Sequence, residues 1–421
     1  MVAMLLGLMF LLLALNFPMI IPMIVAPLAI MLAFMPNVDV MLAVQQLIAG
    51  VNTQVLLAVP MFILAADIMS TGHSTKRLLD FIEAFVGHIH GGMAVTTAAC
   101  CTLFGAISGS TQATVVAIGK PMRGRLLQLG YSDSASSGLI INSAIIALLI
   151  PPSISMIMYA VVTGSSVGDL FIAGVGPGIL MFLLFAIYSY FYARHARIPL
   201  QPRKSWGERM KALKTAIPPL GFPLIIFIGI YGGYFSPTES AAVAVVYAFI
   251  LEFFVFKTLK FKDIFRIALS TAVSTSIVFV LVAGGQLFSW VISYAQIPQM
   301  LTGSLLGADP SALRILVTVT IFFLIACMFV DSLVAIIILS PIFFPIAVRA
   351  GINPTHLGIV ITLQAAIGSV SPPFGCNIFT GCAIFHRPYL DIVKGIPPFL
   401  IMEAIVTICV ILFPQLSLFL L

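Results

Sequence analysis

Long apolar runs recur from one end of the chain to the other, and short polar or small-residue breaks interrupt them. The pattern predicts helices at about 2–15 and 17–35, an amphipathic piece at about 38–52, and a helix at about 54–71. Residues 73–90 mix Lys76, Arg77, Asp80 and Glu83 with apolar positions and predict an interfacial segment. Residues 91–107 are apolar and small, break at Ser108-Gly109-Ser110-Thr111, and resume to about Gly119. Each arm is short for a hydrocarbon layer of about 30 Å, so a re-entrant hairpin is predicted. A helix over about 134–163 is interrupted at Pro151-Pro152, because proline lacks a donor and clashes with the preceding turn. Another helix is predicted over about 169–193.

After a polar linker at 194–215 the pattern repeats. Helices fall at about 216–234 and 238–256, a basic interfacial piece runs from Lys257 to Arg266, and a helix follows at about 268–293. A second hairpin spans about 311–348 with its tip at Asp331-Ser332. A broken helix covers about 355–384, with Ser369-Val370-Ser371-Pro372-Pro373 at the break, and a last helix covers about 393–420. A shift of 221 positions lays Pro151-Pro152 on Pro372-Pro373, Gly130 on Gly351, Gly174 on Gly395 and Ser110-Thr111 on Asp331-Ser332. Each match alone is weak, since Gly and Pro are frequent here. Their agreement with the helix pattern is stronger.

Charge placement orients the two halves. Putting the linker in the cytoplasm by the positive-inside rule places 18 of the 20 Lys and Arg there, leaving Arg314 and Arg349 outside. The first hairpin then opens to the cytoplasm and the second to the exterior, so the halves are inverted. Inverted repeats with broken helices near the bilayer midplane mark secondary transporters. The fold expected is therefore an all-α polytopic membrane protein with inverted repeats, two re-entrant hairpins and two broken helices.

Composition agrees. The 421 residues are 61% hydrophobic and 8% charged, against roughly 25% charged in soluble domains. The first apolar stretch lacks a basic leader and a small-residue cleavage site, which predicts a retained helix. The net charge of +6 sits at helix ends, where topology explains it without nucleic acid. The six cysteines lie in apolar segments and are expected to be packing residues.

The candidate chemistry lies at the breaks. Asp331 is an acid at the tip of a membrane-embedded hairpin, where a charge is costly and usually marks an ion or substrate path. A plainer role is an N-cap, and the two are compatible. Ser108, Ser110 and Thr111 open a half-helix whose N-terminus suits an anion. Gly105 and Gly109 also form a small-xxx-small packing pattern. Ser153, Asn377 and Thr380 follow the proline breaks, Gly368, Ser369 and Ser371 precede the second, and Asn142 stands one helical stretch before the first. Each can equally serve as a hydrogen bond between helices. No Lys or Arg falls near the hairpin tips or in the broken-helix cores, so an acidic substrate would be held by half-helix ends, hydroxyls and amides. Glu239 is explained as a first-turn acid beside an N1 proline. Glu252 and Asp67 are placed to bond across helices. His88 and His90 are interfacial, and no catalytic triad, paired-His or phosphate-loop pattern appears.

Ser236-Pro237-Thr238-Glu239-Ser240-Ala241-Ala242, Ser108-Gly109-Ser110-Thr111-Gln112-Ala113-Thr114 and the two Pro-Pro breaks resemble the large membrane (M) subunit of TRAP transporters, a likeness that covers essentially the whole chain. The resemblance implies the transport subunit of a tripartite Na⁺-dependent importer of an organic acid in the bacterial inner membrane, working by an elevator motion. It implies two partners, a small four-helix membrane (Q) subunit and a periplasmic substrate-binding (P) protein. Because the extra N-terminal helices of fused versions are missing, the Q subunit is expected on a separate chain. Sialic acid is favoured as substrate, with C4-dicarboxylates next. By the same resemblance, Na⁺ is expected at Ser108, Gly109, Ser110, Thr111 and Ser153, and at Asp331, Ser332, Gly368, Ser369 and Ser371. Substrate is expected at Thr111, Asn142, Ser153, Asn377 and Thr380. The implied division is a first scaffold segment 1–90 with arm helices, a first transport half 91–193, a cytoplasmic linker 194–215, a second scaffold segment 216–310 and a second transport half 311–421. A stand-alone ion-coupled anion transporter or antiporter is the main alternative, and a membrane-embedded enzyme is a third.

Overall fold

In lipid every backbone N–H and C=O has to be paired within the chain, which leaves helices as the available solution for a sequence this apolar. A computed structural model describes residues 1–72, 74–301 and 310–421. His73, at the start of the expected interfacial segment, and 302–309, at the end of the second scaffold segment, lie outside the described residues. Among the described residues every regular element is a helix.

The first stretch contains α1 (Val2–Ala14), α2 (Ile20–Phe34), α3 (Met41–Val51), α4 (Ala58–Thr71, entered through a 3₁₀ turn) and α5 (Ser74–Val86). A hairpin follows, α6 (Gly92–Ser108) and α7 (Thr111–Gln128). The first broken helix is α8 (Asp133–Ala144) and α9 (Ile154–Thr163), and α10 (Val167–His195) returns. The second half begins with α11 (Trp206–Tyr231), α12 (Pro237–Phe249), α13 (Phe261–Tyr294) and the short α14 (Ile297–Leu301). Its hairpin is α15 (Ala312–Phe329) and α16 (Ser332–Arg349). Its broken helix is α17 (Pro354–Val370) and α18 (Cys376–Phe385). Then come α19 (Tyr389–Val393), α20 (Pro397–Leu412) and α21 (Gln415–Leu418). Among the described residues, 7 helices are long and apolar enough to cross a membrane.

The halves agree down to single hydrogen bonds at the shift read from the sequence. Ser110 caps α7 and Asp331 caps α16. Just past these helices Gly130 and Gly351 take positive φ, 92° and 77°, a conformation that glycine adopts without a Cβ penalty. The Gly130 and Tyr131 N–H groups donate to Leu127 and Leu126, and the Gly351 and Ile352 N–H groups donate to Val348 and Ala347. Ser132 and Asn353 then cap α8 and α17. Both Pro-Pro bonds, Pro151–Pro152 and Pro372–Pro373, are cis.

Each hairpin lies close against its own broken helix, with the glycine on opposite partners. A Cβ added to Gly105 of α6 would come 2.5 Å from the Ala147 methyl, and one added to Gly368 of α17 would collide with Cys327 of α15. Outside the hairpins, Thr271 of α13 donates to the Asp67 carboxylate of α4 at 2.9 Å. Buried Glu252, in a π turn after α12, accepts from the Ser74 and Thr258 hydroxyls. The cross-helix bonding expected of both acids is present. Ser236 and Glu239 cap each other reciprocally, as expected of a first-turn acid.

Three boundaries differ from the sequence reading. The polar linker ends sooner, because Ser205 and Glu208 form a capping box that starts α11 at Trp206. The basic piece before Arg266 is largely the first turns of α13, capped when Asp263 accepts the Lys260 N–H at 2.8 Å. The helix expected to run to about 420 stops at Leu412, just before Pro414.

At one end of the molecule Arg123, Arg125, Lys204 and Arg387 gather on acids. Asp133 joins Arg123 and Arg387 at 2.6 Å each, and Glu83 joins Arg125 and Lys204. These are four of the cations that the charge pattern assigns to one side.

Candidate functional site

The first tip is knit by its own hydroxyls. Gly109 follows α6 with φ 61°, and Ser110 turns into the extended region, where its Oγ accepts the Ala113 N–H at 3.4 Å. The Thr114 hydroxyl donates to the Ser110 carbonyl at 2.8 Å, and the Ser108 and Thr114 hydroxyls lie 3.2 Å apart. A Cβ on Gly109 would sit 2.8 Å from the Pro152 carbonyl, so glycine lets this tip seat on the first break. Ser153 caps α9, accepting the Met156 N–H at 3.4 Å.

The second tip is built differently. Asp331 caps α16 with one carboxylate oxygen, which accepts the Leu333 N–H at 2.9 Å. Its side chain is exposed, and no hydrogen bond from a described residue reaches its other oxygen. The Phe329 ring lies 5.5 Å from that of Phe374, holding the tip over the second break.

The second broken helix turns its polar groups toward the first tip. Buried Asn377 accepts the Thr111 hydroxyl at 2.9 Å and donates to Ser369 Oγ at 3.3 Å. Ser369 donates onward to the Ala366 carbonyl at 2.6 Å, and Ser371 to the Ile367 carbonyl at 2.8 Å. A continuous polar chain therefore links the first hairpin to the second broken helix.

Between the two tips is a cavity of about 90 Å³. Gly109 to Gln112 line it from the first tip, Asp331 to Leu333 from the second, and Leu148, Ile154 and Ser155 from the first broken helix. The N-termini of α7, α9 and α16 all reach its wall, bringing free N–H groups and partial positive charge. A larger apolar cleft of about 660 Å³ shares Asp331 and Leu333 with this cavity and is otherwise lined by Val334 of α16 and by residues of α2, its approach and α13.

Of the residues expected to bind, Gly109, Ser110, Thr111, Asp331 and Ser332 line the cavity together. Ser108 and Ser153 lie immediately beside it in sequence. Ser369 and Asn377 join it through Thr111, while Gly368 serves a close helix contact. Two expectations differ. Asn142 is fully buried, donates to the Gly138 carbonyl of its own helix at 2.6 Å and is not among the cavity residues. Thr380 donates to the Cys376 carbonyl within α18 at 3.0 Å and is not among the cavity residues. The sequence reading missed Gln112 and Ser155. The signal for Ser155 was a second hydroxyl two positions after the capping Ser153.

Comparison with known proteins agrees with this architecture. A family model described as the DctM component of tripartite ATP-independent periplasmic transporters matches residues 6–416. The ectoine TRAP transporter large permease TeaC of Halomonas elongata is 54% identical over 412 residues, covering 97% of this chain and 96% of that protein. The ectoine/5-hydroxyectoine large permease UehC of Ruegeria pomeroyi is 51% identical, covering 98% and 96%. The sialic acid large permease SiaM of Vibrio cholerae is 34% identical, covering 90% and 88%. Among solved structures, the YdaH transporter of Alcanivorax borkumensis shares the fold, with a TM-score of 0.57, 14% identity, and coverage of 88% of this chain and 87% of that one.

Proposed function

The chain belongs to the DctM component family of tripartite ATP-independent periplasmic transporters, and from that premise we propose that it is the large permease of a Na⁺-coupled importer of ectoine-type solutes. It is a transport permease and not an enzyme. In this reading it lies in the bacterial inner membrane, pairs with a small four-helix subunit, and receives substrate from a periplasmic binding protein. Ectoine replaces the sialic acid favoured by the sequence, because the relatives at 54% and 51% are named for ectoine and the sialic acid relative stands at 34%.

The observation that carries the site is the cavity shared by the two tips. Oxygen ligands suit Na⁺, a hard cation. We place them at Ser108–Thr111 with Ser153, and at Ser332 with Gly368, Ser369 and Ser371. Among the described residues no Lys, Arg or His lines the cavity. That suits ectoine, whose ring amidinium balances its own carboxylate, better than a dianion.

The Thr111–Asn377–Ser369 chain supports an elevator motion in which both hairpins and both broken helices move as one body against 1–90 and 216–310. The two hairpins are re-entrant in this account and the halves inverted. Uptake of labelled ectoine into liposomes tests the proposal. It is expected to need a Na⁺ gradient, the small subunit and loaded binding protein. Uptake by this chain alone, or without Na⁺, counts against it.

A further inference from the structure

Ser155 is 1% exposed, lines the cavity between the tips, and its hydroxyl has no hydrogen-bond partner among the described residues. A buried hydroxyl left unpaired is unfavourable, and this one faces a cavity where a ligand can satisfy it. It stands where three helix N-termini converge, and each of those helices is 10 residues or longer. Free N–H groups, helix dipoles and an available O–H donor together recognise a carboxylate.

Asp331 lines the same cavity with one carboxylate oxygen uncommitted. A carboxylate ligand would therefore face a second carboxylate in a space that no described Lys, Arg or His lines. A positive charge between the two offsets their repulsion, and a ligand can carry that charge itself. The cavity's position relative to the larger cleft indicates where. At about 90 Å³ it is much smaller than the neighbouring cleft and takes an end group more readily than the body of a solute. Asp331 stands at the junction with the 660 Å³ apolar cleft, beside the body of any solute whose carboxylate points inward.

We propose that Ser155 and Asp331 are the two poles of a zwitterion site. Ser155 and the N-termini of α7, α9 and α16 take the carboxylate, and Asp331 faces a delocalised positive group on the same molecule. This rests on the transporter reading above and gives Asp331 to the substrate instead of to the coupling ion.

The complete transporter in liposomes, with ectoine and succinate as probes, tests it. Wild type is expected to prefer ectoine. Asp331→Asn is expected to raise the KM for ectoine about tenfold, the equivalent of about 1.4 kcal/mol, and to leave the Na⁺ concentration for half-maximal uptake unchanged. Asp331→Glu keeps the charge and is expected to retain most uptake, and Ser155→Ala is expected to raise the ectoine KM in the same way. If Asp331→Asn does not assemble, calorimetric titration of the Asp331→Glu and Ser155→Ala proteins with ectoine decides, because unchanged affinity in Ser155→Ala overturns the carboxylate pole. A shifted Na⁺ requirement with an unchanged ectoine KM in Asp331→Asn makes Asp331 an ion ligand and overturns the other pole. Preference of wild type for succinate overturns the zwitterion site while the transporter reading stands. Uptake of neither probe removes both.

Discussion

The Thr111 hydroxyl donates a 2.9 Å hydrogen bond to the Asn377 side-chain oxygen across 266 positions of sequence, from the first hairpin to the second broken helix. Both residues are buried, so each partner left alone would carry an unsatisfied group. Thr111→Val and Asn377→Ala are each expected to destabilise the protein by about 1–3 kcal/mol. The double variant is expected to lose less than the two singles combined, since contacting residues couple by roughly 0.5–3 kcal/mol. Thermal unfolding of the purified variants in detergent checks this, and strictly additive losses would show that the bond does not hold the halves together.

Gly105 and Gly368 make equivalent close contacts with the glycine on opposite helices. Gly105→Leu and Gly368→Leu are expected to lower stability by about 1–3 kcal/mol through overpacking. Gly105→Ala is expected to be milder and to be rescued in part by Ala147→Gly, which removes the methyl contact but leaves the Ala147 Cα 2.6 Å from the new Cβ. A double variant no more stable than Gly105→Ala alone would contradict the paired-contact account.

Gly109 combines φ 61° with a seat 2.8 Å from the Pro152 carbonyl. Gly109→Ala is expected to cost about 1–2 kcal/mol from the left-handed backbone alone and to slow uptake by shifting the tip. Gly124→Ala, in the same hairpin with open space around it, is the control and is expected to stabilise by roughly 0.5–1 kcal/mol. Melting temperatures of the two variants should move in opposite directions, and only Gly109→Ala should slow uptake.

Asp133 holds Arg123 of the first half and Arg387 of the second, both at 2.6 Å. The three side chains are partly exposed, so each pair is worth about 1 kcal/mol or less and weakens with salt. Asp133→Asn is expected to lower the melting temperature in low salt, with the difference shrinking near 1 M NaCl. A difference that does not respond to salt would point to the N-terminal turn of α8 instead of the ion pairs.

Much of the fold was legible because membrane burial forces broken backbone to occur in few places. Ser110 and Asp331, Gly130 and Gly351, and the two Pro-Pro pairs announced the repeat at one shift, and the structure closes the helix ends around them with matching hydrogen bonds. The start of α11 was also present as Ser205 and Glu208, but the surrounding Lys and Arg made the stretch resemble a linker. The Thr111–Asn377 bond left no trace in the sequence, because spacing along one chain does not report which half-helix of the other repeat lies opposite. Ser155 was hidden for a related reason. Its neighbour Ser153 fills the cap, and only the packing of the two tips shows which hydroxyl is left to face the cavity.

The most direct test of the central claim is initial-rate uptake of labelled ectoine into liposomes holding this chain with its small subunit, with loaded binding protein outside and the Na⁺ gradient as the only variable. An inward Na⁺ gradient is predicted to drive accumulation that stops when Na⁺ is equal on both sides or is replaced by K⁺. Equal accumulation with and without the gradient would contradict Na⁺-coupled import.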